Sequence, residues 1–223
     1  MLDPLIKAFT QLDDARLQRV VGLSIGLALI VLLLLGVGAW FLIAQLGDVS
    51  TAWLDWLIEV MAGLGLVILI LFLFPAAVSA TIGLFLESVA EAVEARHYPG
   101  LAPPRGQTVR DAIQSGLKFA IVAILLNLAA LPLYLIPPFN VFVFYVLNGY
   151  LLGREYYETV ALRRLDARQA GELRRRNRWR VFLAGVVITL MLTVPLLNLI
   201  APVIATAFMV HIFEVIRRRP ALA

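Results

Sequence analysis

The sequence predicts an all-α integral membrane protein, and three observations support this. Of the 223 residues, 61% are hydrophobic and the mean hydropathy is +0.90, more apolar surface than a soluble domain of this size carries. Several uncharged runs reach about 20 residues or more, which is the length a helix needs to cross the hydrocarbon core. These runs are continuous, whereas the strands of a membrane β-barrel would alternate polar and apolar residues.

The composition also excludes several classes of function. There is no cysteine, which rules out disulfides, thiol catalysis and cysteine metal sites, and His97 and His211 are too few for a histidine metal site. The sequence has no P-loop, zinc motif or nucleophile elbow, so we predict neither an enzyme nor a cofactor. The net charge of +4 predicts contact with anionic lipid headgroups and no nucleic-acid partner.

We expect residues 1–223 to form a single helical membrane domain. Its predicted parts are an interfacial amphipathic helix with a basic entry (1–19), two transmembrane helices with a cytoplasmic extension (20–98), a first hairpin (108–158), a basic cytoplasmic segment (159–180) and a second hairpin (181–216). The first apolar run follows acidic residues and precedes no small-residue cleavage site. We therefore expect it to be retained rather than cleaved as a signal peptide.

The two long transmembrane helices are predicted at residues 20–46 and 60–86. Both runs are uncharged, and each spans about 40 Å as a helix, against a hydrocarbon core of roughly 30 Å. Pro75 should kink the second helix or be accommodated by its neighbours. After residue 86, glutamates at helical spacing predict that the same helix continues into water; they are Glu87, Glu91 and Glu94.

Two glycine pairs have the small-xxx-small spacing that allows helices to approach closely. They are Gly22 with Gly26, and Gly149 with Gly153. The motif is common by chance in apolar helices, so each pair is only a weak indication of packing.

Proline divides each of the two later apolar runs into a hairpin. The first has its tip at Pro137 and Pro138, and the second at Pro195 and Pro202. The arms of the first hairpin, 119–131 and 140–153, are about 20 Å long, too short to span, and the second has arms at 181–194 and 203–210. We therefore predict that both hairpins penetrate only part of the bilayer. If the proline tips stay helical, the alternative is six full crossings.

The basic residues predict the orientation. All 19 Lys and Arg lie in the N-terminal helix, the two charged segments between apolar runs and the C-terminal tail, and none lies in the loop after the first long helix. The positive-inside rule then places both termini and both hairpin ends in the cytoplasm.

The tip of the second hairpin predicts an anion site. A helix N-terminus carries free N–H groups and about half a positive charge, so it can hold an anion without a buried basic side chain. We expect Asn198 and the amides of Val203 and Ile204 to line the narrow part of an anion path. Interhelical hydrogen bonding by Asn198 is the structural alternative. Broken helices at this depth need protein or a water-filled cavity around them, so the tips predict a pore or a tight oligomer interface.

Four segments, in order and spacing, carry a family resemblance. They are Pro75 followed by the glutamates of 87–94, residues 148–157, residues 178–185, and Pro-Leu-Leu-Asn at 195–198 with Pro202 and residues 203–206. Together, from about residue 65 onward, they resemble the CysZ sulfate permease family, which is itself similar to eukaryotic etoposide-induced membrane proteins.

The resemblance implies a homo-oligomer in the bacterial inner membrane that takes up sulfate or a related oxyanion for cysteine biosynthesis. It also implies an anion site at a Gly-Leu-Arg-Arg-Phe type motif before the first long helix. This chain has Arg16-Leu-Gln18-Arg19-Val there, so the resemblance carries Arg19 over as an anion ligand and Arg16 as its neighbour. The rival hypothesis is a non-transporting, membrane-organising protein with hairpin helices.

Overall fold

The computed structural model describes residues 1–45, 52–105 and 109–218. These residues form helices and contain no strand, which confirms the all-α class. The helices are α1 (Leu2–Thr10), followed by the 3₁₀ turn Gln11–Asp13, α2 (Ala15–Ala44), α3 (Ala52–Gly83), α4 (Leu86–His97), α5 (Val109–Tyr134), α6 (Phe139–Ala161), α7 (Ala167–Arg176), α8 (Arg178–Thr193), α9 (Pro195–Asn198) and α10 (Ala201–Arg217).

Helix α1 is amphipathic and packs against α10. Its inner face buries Pro4 and Ala8, whereas Leu2 and Ile6 remain exposed. The exposed apolar side chains agree with the prediction of a helix at the lipid surface, which stays a prediction.

Helices α2 and α3 pack side by side. A Cβ on Gly36 would lie 3.3 Å from Ile70 Cδ1, and the Thr81 hydroxyl donates to the Ser24 carbonyl over 3.0 Å. Helix α3 continues past Pro75, so this proline does not end it. Among the described residues, no atom lies within 4 Å of a Cβ placed on Gly22 or Gly26, so this glycine pair makes no close helix contact there.

The chain breaks after α3, where a continuous helix into water was predicted. The amides of Leu84 and Phe85 donate to the carbonyls three residues back, of Thr81 and Ile82, and α4 then starts at residue 86 and packs against α2 and α10. The prediction of a fully solvated extension is therefore wrong for Glu94, which is only 6% exposed. Helix α4 is a packed element rather than a continuation of α3.

Two stretches are long and apolar enough to cross a membrane within the described residues, Ala15–Phe41 and Gly116–Tyr134. The first covers most of the first predicted crossing, residues 20–46, and makes it a candidate span by length and composition. The second lies in α5, where the sequence predicted an arm of only about 20 Å. Pro132 stays inside this helix, so the apolar stretch reaches Tyr134 and is roughly 28 Å long. Arm length therefore does not argue for partial penetration by α5. Helix α3, with 32 residues, also has the length of a crossing, though its described apolar stretch is the shorter Glu59–Leu71.

The core lies around α10, which packs against α1, α4, α6 and α8. Every residue from Ala201 to Glu214 is buried. Beside it, α6 and α8 cross at three glycines. A Cβ on Gly185 would lie 2.7 Å from Gly153 Cα, and one on Gly149 would lie 2.6 Å from Val186 Cγ2. The second glycine pair of the sequence is thus a close helix crossing.

Candidate functional site

Arg16 and Arg19, the residues implied by the family resemblance, lie in the first turns of α2 and are exposed. The Arg16 amide donates to Asp14 Oδ1 over 2.9 Å, and Gln18 Nε2 donates to the Leu12 carbonyl over 3.2 Å. These bonds order the turn between α1 and α2 and leave both arginines open to solvent. Within the described parts of the chain, no hydrogen bond or ion pair joins them to the hairpin tip.

Asn198 is half-buried and lies at the end of α9, in the tip of the second hairpin. Its backbone N–H donates to the Val194 carbonyl over 2.8 Å. The amides of Val203 and Ile204 both donate to the Ile200 carbonyl, over 3.0 and 3.1 Å. The expectation that these two N–H groups are free is therefore wrong.

The reason is the position at which α10 starts. Ile200 is the N-cap and Pro202 has no N–H, so Ile204 is the first residue to make a regular intrahelical bond and Val203 closes a tighter turn. The side chains of Val203 and Ile204 are fully buried. Anion binding by the tip thus stays a prediction, and it would require these amides to exchange partners.

A polar pocket of about 510 Å³ lies between α5, α6 and α7. Basic side chains outnumber acidic ones in its lining, which consists of Gln114, Lys118, Arg154, Glu158, Leu162, Ala167, Arg168, Ala170, Gly171, Glu172, Arg174 and Arg175. The sequence predicted a basic cytoplasmic segment at residues 159–180, with no pocket in it. It missed the pocket because Gln114 and Lys118 come from a distant helix.

Helix α7 is held in place on α6 by local bonds. The Tyr157 hydroxyl, fully buried, donates to the Ala170 carbonyl over 3.2 Å. Asp166 and Gln169 form a reciprocal capping box at the start of α7, with distances of 2.8 and 3.3 Å. The Asp-x-x-Gln pattern at residues 166–169 is typical of a helix start, and no helix start was predicted there.

Two arginines in the pocket share one carboxylate. Arg154, only 5% exposed, donates from Nε to Glu158 Oε1 over 2.8 Å. The Nε of Arg174 lies 3.8 Å from the same oxygen, and this buried atom has no hydrogen-bond partner in the described part of the chain. Arg168 pairs with Glu172 over 3.1 Å. One carboxylate oxygen therefore faces two guanidinium groups, hydrogen-bonded to Arg154 and in a longer ion pair with Arg174.

A second ionic cluster joins α4 to the end of α6. Arg163 contacts Glu94 over 3.3 Å and Glu87 over 2.9 Å, and Arg164 contacts Glu94 over 2.6 Å. Glu94 and Arg163 are both buried, and each charge has an opposite partner. Because its charges are mutually satisfied, this cluster stabilises packing and offers little to a ligand.

The two histidines, His97 at the end of α4 and His211 in α10, lie in contact. The Tyr98 hydroxyl and His211 Nδ1 are hydrogen-bonded at 2.8 Å, and the His97 ring lies edge-on to His211 with centroids 4.9 Å apart. Glu214 pairs with Arg217 over 2.9 Å and with Arg218 over 3.2 Å, so its partners are arginines rather than His211. Burial, with a smaller effect of His97, lowers the pKa of His211 to about 4.

Comparison with known protein families shows which family the chain belongs to. The family described as "Sulfate transporter CysZ/Etoposide-induced protein 2.4" matches residues 5–202. The chain belongs to this family. The match confirms the resemblance and extends it upstream through α1 and α2, while most of α10 lies beyond it. No curated protein and no solved structure matched in the other two comparisons.

Proposed function

We propose that the protein passes sulfate or a related oxyanion through the bacterial inner membrane and so supplies cysteine biosynthesis. The observation that carries the proposal is the family match over residues 5–202. The exposed apolar helices support it. Only 22% of the apolar window of α2 and 6% of that of α5 is buried, unlike the core helices of a soluble protein. Lipid would cover these surfaces.

The proposed path follows the chain's charges. Both termini and the basic segments face the cytoplasm, in keeping with the positive-inside rule. Arg19, assisted by Arg16, attracts the anion at the headgroup level, and Asn198 lines the narrow part of the path. The amides of Val203 and Ile204 contribute there by exchanging their bonds to the Ile200 carbonyl for bonds to the anion. The protein works as a homo-oligomer, whose neighbouring subunits cover the broken helices at the tips.

Sulfate flux into proteoliposomes tests the function. We expect uptake of ³⁵S-sulfate above that of empty liposomes, and a panel of anions to rank tetrahedral oxyanions first. Absence of flux from correctly inserted protein would favour the rival hypothesis of a membrane-organising protein.

Two variants test the residues within that assay. Arg19→Ala should weaken sulfate uptake several-fold at low ionic strength, where an exposed charge acts most strongly. The matched control is Arg178→Ala, which removes another exposed arginine.

Asn198→Leu removes the side-chain amide and keeps a similar side-chain volume. Lower flux with the same size-exclusion profile supports a conducting tip. Loss of the oligomer would instead make Asn198 a structural contact.

The depth of the hairpins is tested by labelling, because the chain has no native cysteine. Single cysteines at Tyr134 and Asn198 should resist an impermeant maleimide added outside intact cells. Rapid labelling of both positions would establish six crossings in place of partial penetration.

A further inference from the structure

The pocket between α5, α6 and α7 has an excess of positive charge that its own ion pairs do not neutralise. Five basic side chains line it, from Lys118, Arg154, Arg168, Arg174 and Arg175, against the two carboxylates of Glu158 and Glu172. Its volume of about 510 Å³ falls in the range of small-molecule sites, roughly 300–1,000 Å³. The cavity can therefore hold a small anion together with part of its hydration shell.

The arginines are placed before any ligand arrives. Arg154 is more than nine-tenths buried and is held by Glu158, and Arg174 shares that carboxylate oxygen. Helix α7, which carries Arg174, is fixed by the bond from Tyr157 to Ala170. A guanidinium presents N–H donors in a rigid planar fork that matches two oxygens of a tetrahedral oxyanion. The buried Nε of Arg174, 3.8 Å from Glu158 Oε1, has no hydrogen-bond partner among the described residues.

We propose that this pocket binds a tetrahedral oxyanion of the sulfate class on Arg154 and Arg174, with Arg175 and Lys118 adding positive charge. The identity of the natural ligand rests on the transport function proposed above. A phosphate group on an anionic lipid has the same chemistry and is the second possible source of the ligand.

Titration of sulfate into protein held in phosphatidylcholine nanodiscs tests the site, with chloride at equal ionic strength as the reference. We expect Arg174→Gln/Arg175→Gln to weaken sulfate binding at least tenfold. The matched control is Arg176→Gln, which removes the same charge from the same helix outside the pocket lining. It should change the affinity less than twofold. Arg154 is left in place because its loss would strand Glu158.

The outcomes are separable. Unchanged affinity in the double variant, or an equal loss in Arg176→Gln, overturns the pocket. A second arm uses nanodiscs with phosphatidic acid: retention of that lipid by the wild-type protein, lost in the double variant, supports the pocket and assigns the lipid as its ligand. Binding of neither anion overturns it. Flux measured in parallel distinguishes the two proposals. If the wild-type protein transports sulfate and the double variant binds sulfate with unchanged affinity, only the pocket is rejected. If the wild-type protein binds sulfate in the pocket but transports none, only the transport function is rejected.

Discussion

The two hairpins have similar sequences and different surroundings. Both are apolar runs divided by proline, yet in the second one α10 is buried from Ala201 to Glu214, whereas the apolar window of α5 in the first is only 6% buried. Apolar side chains are stable in a protein core and in lipid alike, because both remove them from water. The comparison shows that hydrophobicity alone does not decide whether a helix is buried in the protein core or keeps its apolar side chains exposed.

Truncation of a core aromatic residue should give the largest difference in the free energy of unfolding between the two hairpins. Phe208→Ala in α10 removes a fully buried ring, and we expect a loss of about 4 kcal/mol from the free energy of unfolding. Leu125→Ala in α5 changes a side chain that is 60% exposed and should stay within about 0.5 kcal/mol. Unfolding of both variants in mixed detergent micelles measures the difference. A large loss for Leu125→Ala would show that α5 packs against another subunit rather than lipid.

The second-largest effect on stability is expected at the crossing of α6 and α8, where glycines allow the two helices to approach closely. Gly185→Ala places a methyl group against the α6 backbone, where neither helix can yield without separating, and should cost about 3 kcal/mol. The matched control is Gly116→Ala in α5, whose new methyl group meets no described atom within 4 Å, and we expect it to be neutral or slightly stabilising. Thermal unfolding followed by size exclusion compares the two. Equal stability would mean that the α6–α8 approach is looser than described.

The smallest effect is on the pH dependence of stability, through His211 of α10, which lies outside both candidate crossings. His211 titrates near 6.5 when unfolded and near 4 when folded, so the unfolded chain binds more protons between these values. Stability is then full above pH 6.5 and falls as the pH drops, by about 2 kcal/mol at pH 5. The groups around the ring are Asp3, Lys7, Arg96, His97, Tyr98, Glu214 and Arg218.

Unfolding of the wild-type protein and of His211→Gln between pH 5 and 7.5 checks this. The variant should lose most of the acid sensitivity, while α5, with no histidine, contributes none. The same pH slope in both proteins would assign the sensitivity to other groups.

Sequence patterns predicted the helical class and the first crossing, because an uncharged run of that length has few stable alternatives. They did not show that Pro132 stays within α5, since neighbouring structure decides whether a proline ends a helix. They also placed Glu94 in water, because its partners Arg163 and Arg164 lie some 70 residues away in the chain. The pocket was missed for the same reason: Lys118 and Arg174 meet only through tertiary packing.

The burial of α10 has a consequence for biogenesis. The ribosome makes α10 after every helix that surrounds it, including α1 at the other end of the matched region. At about 5–20 residues per second, the packing face of α1 waits roughly 10–40 seconds for its partner. During that interval the exposed Leu2 and Ile6 can keep α1 on the membrane surface. The packing of α1 against α10 is therefore a late step in the folding of the protein.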